Sequence, residues 1–283
     1  MSSFTLHAHA KINLFLHVGD KREDGFHALQ SLVAFTQAGD EVSFAPDVGL
    51  SLAIAGPFGA GLSCGDDNLI IKAAQRLSPD KGAAITLTKN LPVASGIGGG
   101  SADCAATLRG LSRLWGLPSD TPALQKIGEC LGSDVPVCIS QRPQWMEGRG
   151  EIVTPLPSLP AVAIVLVNPG VGVPTGKVFG ALKERRGVDL PLPPAFATAA
   201  DLIGYLKDTS NDLEAPARAI APEINSVLDA IAGEGALLAR MSGSGATCFG
   251  LFASDAAAEG AAVAMQAQNP GWWVAASQLM TGS

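Results

Sequence analysis

A half-buried strand, a loop of small residues and a helix follow one another between residues 85 and 115, and the loop constrains the fold more than any other stretch. Residues 92–107 read PVASGIGGGSADCAAT. Gly98, Gly99 and Gly100 carry no side chains, so the backbone can approach a ligand closely and take conformations closed to other residues. Upstream, Ile85 and Leu87 alternate with Thr86 and Thr88, as in a half-buried strand. Downstream, Ala105, Leu108, Leu111 and Trp115 fall at helical spacing on one face, with Arg109 and Arg113 elsewhere; Gly116 and Pro118 stop the helix. Ser101 is expected where that helix begins. The N–H groups of such a loop, with the positive end of the helix dipole, make a phosphate site. The competing reading is a glycine turn that serves only close packing of helix on strand.

Two familiar phosphate loops are excluded. The P-loop pattern needs Gly-x-x-x-x-Gly-Lys-Ser/Thr, and residues 92–107 contain no lysine. Gly176-Lys177 is the near miss, with Val171 at the first glycine position and Val178 at the hydroxyl position. A dinucleotide fingerprint forced onto Gly96-Ile97-Gly98 meets Ser101 where its third glycine belongs.

Composition narrows the class of partner. A chain of 283 residues, 47% hydrophobic and 16% charged, suits a globular enzyme with a sizeable core. Its formal charge of −7, without any basic run, argues against a nucleic-acid partner. Five cysteines without a Cys-x-x-Cys pair read as reduced thiols in a cytoplasmic protein; Cys104, near the loop, reads as a small buried residue. No signal segment and no bilayer-spanning apolar run is expected, hence no membrane partner. The oligomeric expectation is a monomer or weak homodimer.

Strands and helices mix without strict alternation, so the expected class is α+β. The proline-rich stretch 154–160 precedes an apolar run, Val162 to Val167, that reads as a buried strand. We place a domain boundary there, giving domains over 1–157 and 158–283. A second proline-rich stretch, 190–194, reads as an exposed loop. Asn211-x-x-Glu214 resembles a capping box at a helix start. From Pro222 a further helix carries Ile224, Val227, Leu228 and Ile231 on one face and ends at Gly233. A second glycine loop, Ser242 to Gly245, is expected to pack close to the first and to precede a strand over 246–252.

The amino-terminal segment alternates. Even positions from Phe4 to Val18 are apolar, while Thr5, His7, His9, Lys11, Asn13 and His17 are polar. If the strand is continuous, Lys11 and Asn13 project side by side. Taken alone, a lysine on such a face serves solubility. His7 and His9 suggest a metal pair, but no further histidine or acidic cluster supports one.

Residues 92–106 resemble the phosphate loop of the GHMP kinases, whose pattern is Pro-x-x-x-Gly-Leu/Ile-Gly-x-x-Ser followed by small residues. The resemblance extends in order along nearly the whole chain. It takes in residues 9–14, Asp24-Gly25-Phe26-His27 through Ser31, Gly132-Ser133-Asp134-Val135-Pro136, Asn168-Pro169-Gly170 through Pro174-Thr175, Asn211 to Glu214, and Met241 to Ala246. It implies a two-domain architecture with the active site in the interdomain cleft, and ATP with Mg²⁺ as cofactors. Pro92, Val93, Ala94, Ser95, Gly96, Ile97, Gly98, Gly99, Gly100, Ser101 and Ala102 would cradle the phosphates. The Ser101 hydroxyl would reach Mg²⁺ or a phosphate oxygen.

The resemblance also implies the acceptor, a hydroxyl of a small cytidine-diphosphate alcohol of isoprenoid precursor synthesis, giving the 2-phosphate and ADP. Asp134 would accept the hydroxyl proton, and Lys11 would keep Asp134 ionised and stabilise charge on the transferred group. Phe26 and Phe179 would flank the cytosine and His27 would read its edge. Asn13 and Thr175 would contact the sugar-like tail or the diphosphate. Two positions depart from the family: Phe26 stands where tyrosine is common, and Val33 replaces an aromatic residue. One rival is a related kinase acting on homoserine, mevalonate or a sugar, against which residues 24–27 argue. The other is a nucleotide-binding regulatory protein, against which the joint presence of Lys11 and Asp134 argues.

Overall fold

A computed structural model describes residues 2–282. In chain order it has β1 (Phe4–Asn13), β2 (His17–Lys21), β3 (His27–Ala45), β4 (Leu50–Ala55), α1 (Leu69–Leu77), β5 (Ala83–Thr88), α2 (Gly99–Trp115), α3 (Thr121–Glu129) and α4 (Val135–Ser140). There follow β6 (Gln144–Gly148), β7 (Ile152–Pro155), β8 (Ala163–Asn168), α5 (Thr175–Gly180), α6 (Ala199–Lys207), α7 (Glu214–Ile220), α8 (Glu223–Gly233), β9 (Leu238–Met241), β10 (Cys248–Phe252), α9 (Asp255–Gln268) and β11 (Trp273–Gln278). The class is α+β. Its contacts form two compact units, interleaved along the chain rather than consecutive: residues 2–10, 39–93 and 98–141, and residues 11–38, 94–97 and 142–282. The break read near 157/158 falls inside the second of these.

In the first unit, Glu41–Ala45 of β3 pairs antiparallel with β5, while β4 pairs with β5 in parallel over six residues. A parallel pair needs a long crossover, and α1 supplies it. Strand, glycine loop and helix come in the expected order, but α2 begins at Gly99 rather than Ser101. Gly98 precedes it in a left-handed conformation (φ 64°), which glycine adopts without strain. The other end is as expected, with Gly116 left-handed at φ 65°. The one-faced pattern understates how deeply α2 sits. Besides Ala105, Leu108 and Leu111, it buries Ala102, Ala106, Thr107, Gly110 and Ser112. A Cβ on Gly110 would overlap the Phe44 ring, so helix and sheet approach as closely as glycine permits. Arg109 is drawn inward, donating to Gln141 Oε1 at 2.7 Å and the His7 carbonyl at 3.4 Å.

In the second unit, Leu29–Val33 of β3 pairs antiparallel with β6, and β6 with β7. A separate antiparallel sheet has the order β11-β8-β10-β9, with β8 buried at every residue, as its unbroken apolar run requires. Ile224, Val227, Leu228 and Ile231 of α8 are all buried, as their spacing predicts. Residues 190–194 form the expected loop without regular structure. The amino-terminal alternation breaks sooner than read. β1 ends at Asn13 and β2 begins at His17; between them Leu16 bridges to Asn211, and the buried Phe15 ring lies 5.5 Å from Trp145 and 6.5 Å from Tyr205 between centroids.

Among the described residues no helix is long and apolar enough to cross a membrane, and no cysteine is paired in a disulfide.

Candidate active site

The first glycine loop leaves β5 through Lys89, Asn90 and Leu91 and ends in α2. No side chain caps the amino terminus of α2. Its first turn is Gly99, Gly100 and Ser101, whose N–H groups lie beyond the reach of intrahelical acceptors. A Cβ added at Gly100 would meet only Leu69 Cδ1 at 3.9 Å, so the space over this end is open. A long helix with an uncapped, glycine-lined amino terminus suits an anion. Ser101 is half-buried in that turn, where its hydroxyl can turn toward a phosphate oxygen or a cation held by phosphates. Among the described residues no three His, Cys, Asp or Glu side chains gather to hold a metal ion, so His7 and His9 form no such centre. Cys104 is buried, and burial pushes its thiol up to about 12, which suits packing and not nucleophilic chemistry.

Residues 94–97 belong to the second unit. Ile97 O accepts from Lys11 N at 2.9 Å, and Ser95 O accepts from Thr247 N at 3.0 Å. The two glycine loops meet here. A Cβ on Gly96 (φ +79°) would lie 2.7 Å from the Ser242 and Gly245 carbonyl oxygens, and one on Gly243 would lie 2.7 Å from Gly96 O. Ser242 Oγ accepts from Asn13 N at 3.1 Å and donates to Gly96 O at 3.3 Å. The expected neighbourhood of the loops is therefore a direct backbone contact.

Lys11 and Asn13 do project together, with Lys11 Nζ donating to Asn13 Oδ1 at 3.0 Å. They are not on a solvated face, for their exposures are 3% and 2%. Asn13 Nδ2 donates in turn to Ser31 Oγ at 2.8 Å, which fixes the amide orientation. A buried ammonium is costly unless matched, so solubility does not explain Lys11.

Asp134, in the first unit, precedes α4 at its N-cap position and is half-buried. Its side chain makes no capping bond to the helix. A purely capping aspartate would make one.

The residues expected at the acceptor side all lie in the second unit. Phe179 stands beside His27, ring centroids 5.7 Å apart and nearly parallel at 15°. His27 Nδ1 sits 3.1 Å from Gly19 O, which orients the ring. Phe26 is 52% exposed, with the Arg149 guanidinium 5.3 Å over its ring. Thr175 is exposed at the start of α5, its hydroxyl 2.8 Å from Ser244 Oγ of the second glycine loop. Val33 is fully buried in β3 and lines no open surface.

Family models for the GHMP kinases N terminal domain and the GHMP kinases C terminal region match residues 68–142 and 194–271. A Cereibacter sphaeroides protein, 4-diphosphocytidyl-2-C-methyl-D-erythritol kinase, is 53% identical over 276 residues, covering 96% of this chain and 98% of its own. The chain belongs to the GHMP kinases. A Paracoccus denitrificans protein of the same name is 53% identical, over 96% of this kinase and 95% of its own length. A crystal structure of 4-(cytidine 5'-diphospho)-2C-methyl-D-erythritol kinase superposes with TM-score 0.78 at 32% identity, covering 98% of this kinase and 99% of that chain.

Some residues that hold the kinase's loops in place are not evident in the sequence. Asn211 and Glu214 form no capping box. Asn211 Nδ2 donates to Met241 O and Gly243 O, both at 2.8 Å, and Glu214 Oε2 accepts from Met241 N at 2.9 Å. They brace the second glycine loop, while α7 starts from Leu213 with no side-chain cap. Asp40, Lys89 and Asp103 form a buried ion cluster beside the first loop. A hint of it was visible in Asp103, a lone charge within the small-residue run 101–107.

Proposed function

We infer that this kinase transfers the γ-phosphoryl group of ATP to the 2-hydroxyl of 4-diphosphocytidyl-2-C-methyl-D-erythritol, giving the 2-phosphate and ADP in non-mevalonate isoprenoid precursor synthesis. The observation that carries the reading is identity of 53% to a kinase of that name, across nearly the full length of both chains.

Phosphoryl transfer asks for positioning and charge neutralisation. Residues 92–102 hold the triphosphate through backbone N–H groups, a role supported by the uncapped start of α2 and the open space over Gly100. The acceptor oxygen attacks the γ-phosphorus. A new O–P bond forms, the bond to the β–γ bridging oxygen breaks, the hydroxyl proton passes to Asp134, and ADP leaves. Lys11 stabilises charge on the transferred group; its burial and its orientation by Asn13 support this. Ser101 would be this chain's contact to Mg²⁺, which, bound with the nucleotide, would supply neutralisation of phosphate charge. Phe26 and Phe179 flank the cytosine, His27 reads its edge, and Asn13 and Thr175 meet the tail or diphosphate. The enzyme works in the cytoplasm as a monomer or weak homodimer.

The test is turnover with the cytidine-diphosphate alcohol beside the same alcohol without cytidine. Strong dependence on the base is expected, and indifference to it would favour a kinase of simpler alcohols. Asp134→Ala and Lys11→Ala should each lower kcat by about 10²–10⁴-fold while ATP still binds. Near-normal turnover in Asp134→Ala would refute the assignment of the base.

A further inference from the structure

Three charged side chains of the first unit are buried together beside the phosphate loop. Lys89 Nζ donates to Asp40 Oδ2 and, at 2.8 Å, to Asp103 Oδ2. The side chains of Lys89, Asp40 and Asp103 are 4%, 0% and 5% exposed. The other oxygen of Asp40 accepts from the N–H groups of Asn90 at 2.6 Å and Leu91 at 2.8 Å, the residues from which the loop departs. Asp103 stands in α2, the helix in which the loop ends. A Cβ on Gly99, the first residue of that helix, would lie 3.0 Å from Lys89 Nζ. One ammonium therefore holds both ends of the loop and lies against the turn that presents its N–H groups.

Stability alone is a poor explanation for this cluster. Burying three charges seldom improves on apolar residues of similar size, because desolvation offsets the Coulombic gain. What an ion cluster supplies that leucine and methionine do not is a fixed geometry. Fixed geometry matters where backbone donors must meet phosphate oxygens, since a displacement of about 1 Å can cost up to 10²-fold in a positioned reaction.

We propose that Lys89, clamped by Asp40 and Asp103, is the positioning residue of the phosphate loop, setting the N–H groups of α2's first turn for the phosphates of ATP. The proposal rests on the reading of residues 92–102 as the ATP phosphate site. It goes beyond that reading by making nucleotide affinity depend on side chains that need not touch the nucleotide.

The test uses the double variant Lys89→Met/Asp103→Leu. It removes one charge of each sign and leaves Asp40 its two backbone bonds, so it should fold even where Lys89→Met alone does not. Thermal unfolding and the KM values for ATP and for the alcohol are measured side by side. The expected result is a melting temperature near that of the wild type, with the KM for ATP raised about tenfold and that for the alcohol within about twofold. Lys89→Arg, which keeps a cation between the carboxylates, should recover most of the loss. A folded double variant with wild-type KM for ATP overturns the proposal, and so do equal rises in both KM values, the mark of a merely structural role. Both results leave the loop's assignment standing. A wild-type enzyme whose ATP affinity is indifferent to Gly100→Ala overturns both.

Discussion

Gly96 and Gly100 lie four residues apart in one loop, and the structure gives them opposite reasons to be glycine. At Gly96, φ is +79°, and an added Cβ would sit 2.7 Å from two carbonyl oxygens and 2.9 Å from Gly245 N. All three are backbone atoms of the second glycine loop, which is pinned by Asn211 and Glu214 and cannot yield cheaply. A left-handed alanine costs about 1–2 kcal/mol. Overpacking adds about 1–3 kcal/mol, so Gly96→Ala should lose about 2–5 kcal/mol. At roughly 2–4 °C per kcal/mol, the melting temperature should fall by on the order of 10 °C. Gly100 is in the first turn of α2, with only Leu69 Cδ1 at 3.9 Å from its added Cβ. Alanine fits there and favours helix by up to about 1 kcal/mol, so Gly100→Ala should melt no lower than the wild type. On the proposed reading of residues 92–102, its methyl group instead stands where a phosphate approaches. Loss of one or two charge-assisted hydrogen bonds, about 1.5–3 kcal/mol, should raise the KM for ATP by about 10–100-fold. Thermal unfolding and ATP kinetics on the two variants decide the matter. Gly96→Ala melting within a degree of the wild type, or Gly100→Ala with unchanged KM for ATP, would refute the reasoning.

The other predictions concern buried polar groups. Arg240 donates to Leu14 O, Leu206 O and Thr209 O at 2.7–2.9 Å, and burial lowers its guanidinium to about 10. Arg240→Leu leaves those carbonyls unmatched and should lose about 3–5 kcal/mol in urea unfolding; a loss under about 1 kcal/mol would contradict the assignment. Asn211→Asp is nearly isosteric but sets an oxygen against Met241 O and Gly243 O, so it should lower the melting temperature more than Asn211→Ala does, and the reverse order would count against the brace.

What could be read from the sequence follows from which signals are local. The order of strand, loop and helix over residues 83–115, the buried strand β8 and the apolar face of α8 are set by spacing and composition within one segment, so the sequence predicts them, although α2 begins two residues before Ser101 and is buried on more than one face. Asn211 and Glu214 look like a capping box because the spacing is right. The structure gives Asn211 Nδ2 and Glu214 Oε2 to the second glycine loop, about thirty residues on, while Asn211 Oδ1 accepts locally from Leu213 N, and no local pattern encodes the distant partner. Lys11 looked solvated because alternation distinguishes two faces of a strand without saying whether either meets water. Its 3% exposure depends on what packs over β1. Phe26 and Phe179 could be named as aromatic residues, but Phe179 beside His27, and Arg149 over Phe26, are tertiary placements. The ion cluster joins β3, the end of β5 and α2 across 63 residues of sequence, beyond any local pattern.

The central claim, that backbone amides of residues 92–102 hold the phosphates of ATP while Lys11 and Asp134 serve the acceptor hydroxyl, is tested most directly by a crystal structure with a non-hydrolysable ATP analogue and the cytidine-diphosphate alcohol. The account predicts phosphate oxygens on the N–H groups at the start of α2 and the acceptor hydroxyl within hydrogen-bonding distance of the Asp134 carboxylate. Nucleotide bound away from that loop, or an acceptor hydroxyl remote from Asp134, would contradict it.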